Sequence, residues 1–219
     1  SLSHIAFIMD GNNRWGKKNH VNSFNSYKRG AQKLLSISKF LFENHSIEHI
    51  SAFALSKSNL KRPKKIINAI IRVLDLLLDQ TINSQNFKFR IIFKGDLNFI
   101  NKNLQKKISV LSSLNKNSSQ NLYIYLNYSG THDILETAKS LKNQKINLYK
   151  FKKYMVCGVS PDPEILIRSG GYKRISDFFI LQLSFTELFF IKKLWPDVTN
   201  SDVNNIINKY QIIERKFGN

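Results

Sequence analysis

Short apolar runs alternate along the chain with longer segments in which apolar residues recur every three or four positions. The runs predict buried strands, and the longer segments predict amphipathic helices. The predicted strands span residues 5–9, 50–56, 87–93, 122–128, 165–167 and 187–191. The predicted helices span residues 26–44, 63–81, 98–114, a segment beginning near Thr131 as N-cap, 148–155 and 201–216. Strands that alternate with helices indicate an α/β fold with a central, mostly parallel six-stranded sheet flanked by helices.

The predicted helix over residues 63–81 differs from the others because its apolar surface extends well past a single stripe. Pro63 occupies the first turn, where a helix accommodates proline, and at 1.5 Å per residue the helix is about 28 Å long. An apolar surface of this width is typical of a buried core helix or of one that lines an apolar cavity, and the pattern alone favours the core. Asp75 and Asp79 lie one turn apart on it, which favours a solvent-facing pair over a metal site.

A chemically distinctive stretch follows the first predicted strand, with the sequence D-G-N-N-R-W from Asp10 to Trp15. In a parallel α/β sheet, ligands bind at the carboxyl ends of the strands. There a carboxylate such as Asp10 can hold a divalent cation. Gly11 lets backbone amides approach an anion, and Arg14 can hold phosphate oxygens. Taken alone, Asp-Gly-Asn is more often an Asx-type turn.

Two further clusters of polar and cationic residues follow later strands. Ser56, Asn59 and Arg62 come after the second strand, and R-S-G-G-Y-K-R-I-S, which begins at Arg168, comes after the fifth. Arg168 and Arg174 flank a glycine turn whose amides are sterically free, an arrangement suited to a diphosphate. One such cluster alone is equally well explained as a surface turn, but three clusters at strand ends favour an anion site. The sequence has neither a Walker A loop nor an early G-x-G-x-x-G, which argues against a nucleotide ligand.

The composition narrows the possible classes of protein. With 219 residues, of which 42% are hydrophobic, the chain is expected to form one domain, residues 1–219, with a full core. No apolar run approaches the roughly 20 residues that cross a bilayer. No signal peptide precedes the first strand, so a cytoplasmic protein is expected. Cys157 is the only cysteine, which excludes an internal disulfide, and no Cys/His cluster has zinc spacing.

The chain carries 34 Lys and Arg against 15 Asp and Glu, a formal net charge of +19. Such a surface attracts polyanions, anionic lipid headgroups or phosphorylated substrates. Lysine, asparagine and isoleucine are abundant throughout the sequence, so the charge is weak evidence for any specific partner. Because no nucleic-acid-binding motif accompanies it, we expect no nucleic-acid partner, and only the charge supports a basic RNA-binding protein.

Taken in order, these stretches resemble the cis-prenyltransferases, the undecaprenyl diphosphate synthase family. The resemblance rests on H-I-A-F-I-M-D-G-N-N-R-W, Ser56 with Asn59 and Arg62-Pro63, Asn127-Tyr128, I-R-S-G-G-Y-K-R-I-S, Thr186-Glu187-Leu188 and Leu194-Trp195-Pro196-Asp197. It spans nearly the whole chain, and the first and fourth blocks are highly specific. It implies an enzyme that joins isopentenyl diphosphate units to an allylic diphosphate, usually farnesyl diphosphate. Magnesium would be the cofactor, and the new double bonds would be cis.

The resemblance also implies roles for individual residues. Asp10 would be the catalytic aspartate, which organises magnesium and the allylic diphosphate, and Asn59 would assist proton removal. Glu187 would contribute to the metal site of the isopentenyl diphosphate. The residues that would bind the isopentenyl diphosphate are Arg168, Arg174 and Ser176. Those that would bind or enclose the allylic diphosphate, or line the junction of the two substrates, are Gly11, Asn12, Arg14, Trp15, Ser56, Asn59 and Arg62.

Beyond the diphosphate sites, the resemblance implies an apolar tunnel between sheet and helices, with the helix over residues 63–81 as one wall. Burial of each added five-carbon unit there, at roughly 0.8 kcal/mol per CH₂-sized group, would retain the growing chain. By family frequency the product would be undecaprenyl diphosphate for a bacterial cell-wall lipid carrier. The protein would be a homodimer packed through elements late in the chain, in peripheral contact with the inner face of the membrane that receives the product.

The chain departs from the family pattern around the allylic diphosphate. After Trp15 the family usually has an arginine and then Gly-His, where this chain has Ser23, Ser26 and Tyr27. Loss of the charge-assisted contact from that arginine would weaken binding of the allylic diphosphate by about 1.5 to 3 kcal/mol, unless a nearby lysine replaces it. Lys173 stands in place of a histidine near the second metal site and cannot ligate magnesium while protonated.

These departures leave open a second interpretation, in which the chain is a non-catalytic lipid- or partner-binding subunit of the same fold. Such subunits typically lose the first aspartate and the arginine cluster. Because Asp10, Asn59, Arg168 and Arg174 all remain, an active enzyme is the favoured prediction.

Overall fold

The computed structural model describes residues 2–158 and 160–213. The strands are β1 His4–Ile8, β2 His49–Ser56, β3 Arg90–Lys94, β4 Asn121–Tyr128, β5 Ile165–Arg168 and β6 Glu187–Phe190. The α-helices are α1 Asn12–Lys18, α2 Ser23–Asn44, α3 Lys64–Ser84, α4 Lys102–Ser113, α5 Gly130–Ser140, α6 Leu148–Tyr154 and α7 Asn200–Gln211. Short 3₁₀ helices at Lys57–Lys61 and Trp195–Asp197 follow β2 and β6.

The six strands form one sheet in the order β3-β4-β2-β1-β5-β6, and each neighbouring pair is parallel. The predicted α/β class with a central six-stranded sheet is therefore confirmed. Strand β1 is central and buried along its whole length, as expected for a run that is apolar on both faces. Ile8 pairs with Phe53 of β2 and Arg168 of β5, so the segments that follow these three strands leave the sheet at the same edge.

Side chains of β1 alternate between two cores on opposite faces of the sheet. Ile5 and Phe7 belong to the larger core, which also receives buried side chains from α2, α3, α4 and α7. Ala6 and Ile8 belong to a smaller core in which the rings of Phe178 and Phe179 stack with centroids 4.1 Å apart. The long apolar helix α3 therefore packs on the face that carries the larger core.

Several boundaries differ from those predicted, for local reasons. Ser129, and not Thr131, is the N-cap of α5, because its hydroxyl accepts a hydrogen bond from the backbone N–H of His132 at 3.1 Å. The segment predicted as one helix over residues 98–114 is divided, because Asn101 caps a new helix by accepting from the backbone N–H of Leu104 at 2.9 Å. Helix α1 was not predicted, since its seven residues bury only Trp15 and Gly16 and show no helical periodicity.

The remaining comparisons concern two element ends and one acidic pair. Strand β3 begins at Arg90 and not at residue 87, and the final helix ends at Gln211, while Lys216 lies outside the described residues. Asp79 is exposed and Asp75 is half-buried, and both accept a hydrogen bond from Lys107 Nζ of α4 at 2.7 Å. This acidic pair therefore joins two helices.

Candidate active site

The three sequence clusters meet in one cleft of about 840 Å³ at the carboxyl edge of the sheet. The predicted site residues that line it are Asp10, Gly11, Asn12, Arg14, Ser56, Asn59, Arg62, Arg168, Arg174 and Ser176. Parallel pairing explains this convergence, because β1, β2 and β5 all end at the same edge. Sequence positions more than 150 residues apart thereby share one surface.

Asp10 lies between two guanidinium groups. Arg168 Nη2 donates to Asp10 Oδ2 at 2.9 Å, and Arg14 Nη2 donates to Asp10 Oδ1 at 3.2 Å. The Arg168 side chain is only 4% exposed, and its Nη1 also donates to the Arg174 carbonyl and, at 2.6 Å, to Ser176 Oγ. Arg168 thus ties the carboxylate that follows β1 to the loop that follows β5.

The glycine turn after Arg168 is shaped for this contact. Gly170 has a φ of +87°, and a Cβ there would lie 2.6 Å from Arg14 Nη2 and 3.1 Å from Asp10 Cβ. Gly171 has a φ of +84° with nothing within 4 Å of its own Cβ position. The positive φ at position 170 favours glycine, and an added Cβ would also displace the Arg14 guanidinium from its place beside Asp10.

Tyr172 is a cleft residue that sequence reasoning missed. Its ring centroid lies 4.2 Å from the guanidinium carbon of Arg174, 4.9 Å from that of Arg14 and 5.8 Å from that of Arg168. These distances are within the range of cation–π attraction. The signal was an aromatic residue inside a glycine- and arginine-rich loop, and the ring gathers three cations that would otherwise repel one another.

The end of the same loop is anchored by Asp177, which sequence reasoning also missed. Its carboxylate accepts hydrogen bonds from Ser129 Oγ at 2.5 Å and from the backbone N–H and hydroxyl of Thr131 at 2.8 and 2.6 Å. Burial opposes ionisation of this group, but the hydrogen bonds from Ser129 and Thr131 outweigh it and lower the pKa of Asp177. The loop that carries Ser176 is therefore fixed to the start of α5.

The cluster after β2 is rigid for a different reason. Ser56 Oγ accepts from the backbone N–H of Asn59 at 3.1 Å, and Asn59 Oδ1 accepts from the backbone N–H of Ser56 at 3.3 Å. This reciprocal capping box fixes both side chains at the start of a 3₁₀ helix. Arg62, just after that helix, donates from Nη1 to the hydroxyl of Tyr27 at 2.9 Å.

Two predicted site residues lie apart from the cleft. Trp15 is buried outside its lining, where the indole N–H donates to Asp197 Oδ1 at 2.8 Å, so it fixes α1 against the turn after β6. Glu187 is the first residue of β6, paired in register with Ile165, which in turn pairs with Ile5. Asp10 comes five residues after Ile5, or roughly 16 Å along the strand direction. Asp10 and Glu187 of one chain are therefore not brought together.

An apolar cavity of about 120 Å³ adjoins the cleft between α2, α3 and the sheet. Its lining is mostly aliphatic and includes Leu34, Ile70, Val73, Leu74, Leu77 and Leu78. Four residues line both spaces, namely Met9, Asn12, Tyr27 and Ala54. Since a cavity of about 150 Å³ holds one benzene molecule, this one is the size of about one five-carbon unit. Helix α3 therefore lines an apolar cavity as well as packing against the core.

Comparisons with known proteins agree over almost the whole chain. Residues 8–218 match the family described as putative undecaprenyl diphosphate synthase. The chain is 33% identical over 227 residues to the tritrans,polycis-undecaprenyl-diphosphate synthase (geranylgeranyl-diphosphate specific) of Pyrobaculum aerophilum, covering 99% of this chain and 95% of the relative. It is 33% identical over 228 residues to the ditrans,polycis-undecaprenyl-diphosphate synthase ((2E,6E)-farnesyl-diphosphate specific) of Wigglesworthia glossinidia brevipalpis, covering 98% and 86%.

Two solved structures share the fold. A probable undecaprenyl diphosphate synthase from Campylobacter jejuni superimposes with a TM-score of 0.80 at 28% identity, covering 100% of this chain and 99% of that one. Lavandulyl diphosphate synthase from Lavandula x intermedia, in complex with dimethylallyl diphosphate, superimposes with a TM-score of 0.90 at 26% identity, covering 99% and 98%.

Proposed function

Because the chain belongs to the undecaprenyl diphosphate synthase family of prenyl transferases, we propose that it condenses isopentenyl diphosphate units onto farnesyl diphosphate to make undecaprenyl diphosphate. The observation that carries the proposal is the junction of two spaces. A cleft lined by Asp10 and four arginines shares part of its lining with an apolar cavity along α3. The cleft suits diphosphate groups, and the cavity suits a hydrocarbon chain.

The arrangement of charge supports a reaction in which diphosphate departs from an allylic carbon. That departure leaves positive charge on carbon and negative charge on the leaving group. We assign Asp10, Gly11, Asn12 and Arg14 to the allylic diphosphate. The residues assigned to the isopentenyl diphosphate are Arg168, Arg174 and Ser176. Fixed cations beside the leaving oxygens stabilise the charge that develops there.

Ser56, Asn59 and Arg62 are assigned to the junction of the two substrates. The capping box holds Ser56 and Asn59 in one geometry, which suits residues that must orient a substrate. We assign Asn59 to assisting proton removal from the isopentenyl unit. An uncharged amide is a weak base, so its contribution would be to orient the proton acceptor through hydrogen bonding.

The donor set of the cleft fits magnesium. Asp10 is the one acidic side chain among the described residues that line the cleft, and the described residues hold no group of three His, Cys, Asp or Glu for a metal. Magnesium usually takes one or two protein carboxylates and completes its shell with substrate phosphates and water. Each carboxylate oxygen of Asp10 accepts a hydrogen bond from one arginine, which leaves lone pairs for a cation. When bound, magnesium would supply positive charge for the leaving diphosphate.

Glu187 remains a proposed second magnesium ligand, separate from Asp10. Glu187 lies at the amino end of β6, far from Asp10 of the same chain. It would therefore bind a different magnesium ion from Asp10, or contribute to the site of a second chain. Lys173, in the loop after Gly171, supplies no metal ligand while protonated.

The test is incubation of the purified protein with isopentenyl diphosphate, magnesium and one of three starters, which are geranyl, farnesyl and geranylgeranyl diphosphate. We expect farnesyl diphosphate to be used best and the product to carry 55 carbons by chromatography. Asp10→Ala should lower product formation by at least about 100-fold, while Asp162→Ala, an exposed aspartate paired with Lys152, should leave it unchanged. No product from any starter would overturn the enzymatic proposal in favour of a non-catalytic subunit.

We also propose a homodimer. The edge strand β6 exposes Leu188, and Ile180 nearby in sequence is also exposed, which supports packing through elements late in the chain. Light scattering on the eluting protein should give twice the chain mass. A monomer at micromolar concentration would contradict the proposal.

We propose that the dimer meets the inner face of the membrane peripherally. None of the helices among the described residues is long and apolar enough to span a bilayer, and the net charge of +19 favours anionic lipid. Flotation with vesicles should increase with the anionic lipid fraction at physiological salt. Flotation that does not depend on anionic lipid would refute the electrostatic contact.

A further inference from the structure

A surface that is both basic and apolar lies on α6 and the turns that flank it. No Asp or Glu occurs between Glu136 and Asp162, whereas this stretch contains six lysines. Exposed apolar side chains and unpaired lysines of the stretch together form the α6 patch, whose members are Lys142, Lys145, Ile146, Leu148, Tyr149, Lys150, Lys153, Tyr154 and Val156. None of these residues lines the cleft or the apolar cavity.

The positive charge of the α6 patch is not neutralised by ion pairs. Two lysines of the stretch lie outside the patch, and they pair with Glu136 and Asp162. The four lysines of the patch form no ion pair among the described residues. One of them, Lys150, donates from Nζ to the neutral amide oxygen of Gln144 at 3.0 Å. The patch therefore attracts an anionic surface.

Apolar and cationic side chains alternate on the outer side of α6. Phe151 packs inward against the smaller core, whereas Tyr149 is 75% exposed. Tyr149, Lys150, Lys153 and Tyr154 line one surface depression. Tyrosine rings and long lysine side chains suit the boundary between lipid headgroups and acyl chains, because each joins an apolar body to a polar end.

Hydrogen bonds at both ends of α6 hold this surface in one conformation. Asn147 caps the helix by accepting from the backbone N–H of Lys150 at 2.8 Å. After the helix, the buried carboxylate of Asp133 accepts from the backbone N–H groups of Val156 at 2.9 Å and Cys157 at 3.3 Å. Because little of the surface has to be ordered when it binds, contact with a partner costs less free energy.

We infer that the α6 patch is the surface through which the protein docks on an anionic lipid bilayer, and this inference rests on the proposed peripheral membrane contact. The lysines contact lipid phosphates, and Leu148 and Tyr149 enter the boundary between headgroups and acyl chains. A second copy fits less well, because a two-fold interface built on this patch would bring its lysines against one another. RNA would leave the aliphatic side chains without an apolar partner.

The first test removes charge from the patch. Lys142→Gln, Lys145→Gln and Lys153→Gln are combined in one variant. Its affinity for vesicles of phosphatidylcholine and phosphatidylglycerol is measured by flotation at physiological salt. Since one lysine near an anionic membrane contributes about fivefold in affinity, this variant should bind on the order of 100-fold more weakly than the wild type.

The matched control removes the same charge from the opposite face of the sheet. Lys102, Lys106 and Lys116 are exposed on or just after α4. Helix α4 packs against the larger core, whereas α6 packs against the smaller one. Replacing these three lysines by glutamine should change vesicle affinity by less than about twofold, because salt screens charges that lie far from the lipid. Equal losses in the two variants would overturn the inference, since net charge alone would then explain binding.

The second test asks whether the patch enters the bilayer. Tyr149→Trp adds an exposed indole, whereas Trp15 and Trp195 are buried and provide the wild-type baseline. With anionic vesicles, the added emission should shift to shorter wavelength and should be quenched by lipids with brominated acyl chains. Unchanged emission without quenching would refute entry of this side chain.

The outcomes distinguish this inference from the proposed membrane contact. If the wild type binds anionic vesicles and the patch variant binds equally well, the α6 patch fails alone. If the wild type binds no vesicle, the membrane contact itself fails. Wild-type binding to oligouridylate that is tighter than vesicle binding and is lost in the patch variant would assign the surface to nucleic acid. A change from dimer to monomer on combining Leu148→Ser with Tyr149→Ser, seen by light scattering, would assign it to a second copy.

Discussion

Arg168 and Arg174 present the same functional group in opposite environments, and replacing each by lysine separates structure from binding. The Arg168 side chain is 4% exposed and donates to three acceptors, which are Asp10 Oδ2, Ser176 Oγ and the Arg174 carbonyl. Arg174 is exposed, and its guanidinium lies over the ring of Tyr172. Lysine keeps the charge at both positions but replaces a planar fork by a single nitrogen.

The expected cost at position 168 follows from those contacts. The single nitrogen of a lysine cannot replace both terminal nitrogens of the Arg168 guanidinium, so about two hydrogen bonds are lost. Each lost bond costs about 1 kcal/mol, and more where a buried acceptor is left unsatisfied. Because Asp10 is 27% exposed, solvent screens part of the loss. Arg168→Lys should therefore lower the free energy of unfolding by about 2 to 3 kcal/mol, or about 4 to 12 °C in Tm.

Arg174→Lys should cost less than about 1 kcal/mol, the usual value of an exposed cation–π contact. Arg174→Lys should raise the KM for isopentenyl diphosphate because it loses a bidentate contact to phosphate. Arg168→Lys should raise it because the loop that carries Ser176 is no longer held in place. Stability is measured by urea unfolding followed by circular dichroism, and KM by incorporation of labelled isopentenyl diphosphate. Equal destabilisation by the two variants would refute the argument that the buried fork of Arg168 holds the β1 and β5 loops together.

Two further predictions concern a glycine and a histidine. Gly170→Ala should destabilise more than Gly171→Ala and should raise the KM for the allylic diphosphate. Both alanines would carry the backbone strain of a φ near +85°, but only the first meets Arg14; equal KM values would contradict this. Burial lowers the pKa of His4 to about 3, well below its unfolded value of about 6.5. The unfolded state therefore binds more protons between these values, and stability falls by about 1.4 kcal/mol per unit as pH drops through this window. His4→Gln should flatten that dependence in pH-dependent urea unfolding, whereas the exposed control His132→Gln should not.

Most of the fold could be predicted from the sequence, because a parallel sheet buried on both faces requires unbroken apolar runs. Strands β1, β2 and β4 each lie within one residue of the predicted bounds. The errors fall where caps decide the structure. Asn101 and Ser129 each begin a helix through a side-chain hydrogen bond, and the apolar pattern carries no information about such a bond.

The three clusters of the site could be predicted from the sequence, but the side-chain contacts that join them to each other and to other elements could not. Strand direction alone brings Asp10, Asn59 and Arg168 to the carboxyl edge of the sheet. Glu187 begins its strand, so the same argument places it at the opposite edge. That separation was available from the predicted strand over residues 187–191. The contact between Tyr27 and Arg62 joins positions 35 residues apart in sequence, on separate elements whose packing the sequence pattern does not specify.

Charge is the property whose meaning changes most once the fold is known. Spread along the sequence, a net charge of +19 is weak evidence for any partner. Among the described residues that line the cleft, however, cationic side chains surround a single carboxylate, that of Asp10; they are Arg14, Lys17, Arg62, Lys65, Arg168 and Arg174. A concave site of one sign raises the local concentration of an oppositely charged ligand. Two diphosphate groups, one from each proposed substrate, match this excess of positive charge, whereas a neutral prenyl alcohol leaves it uncompensated.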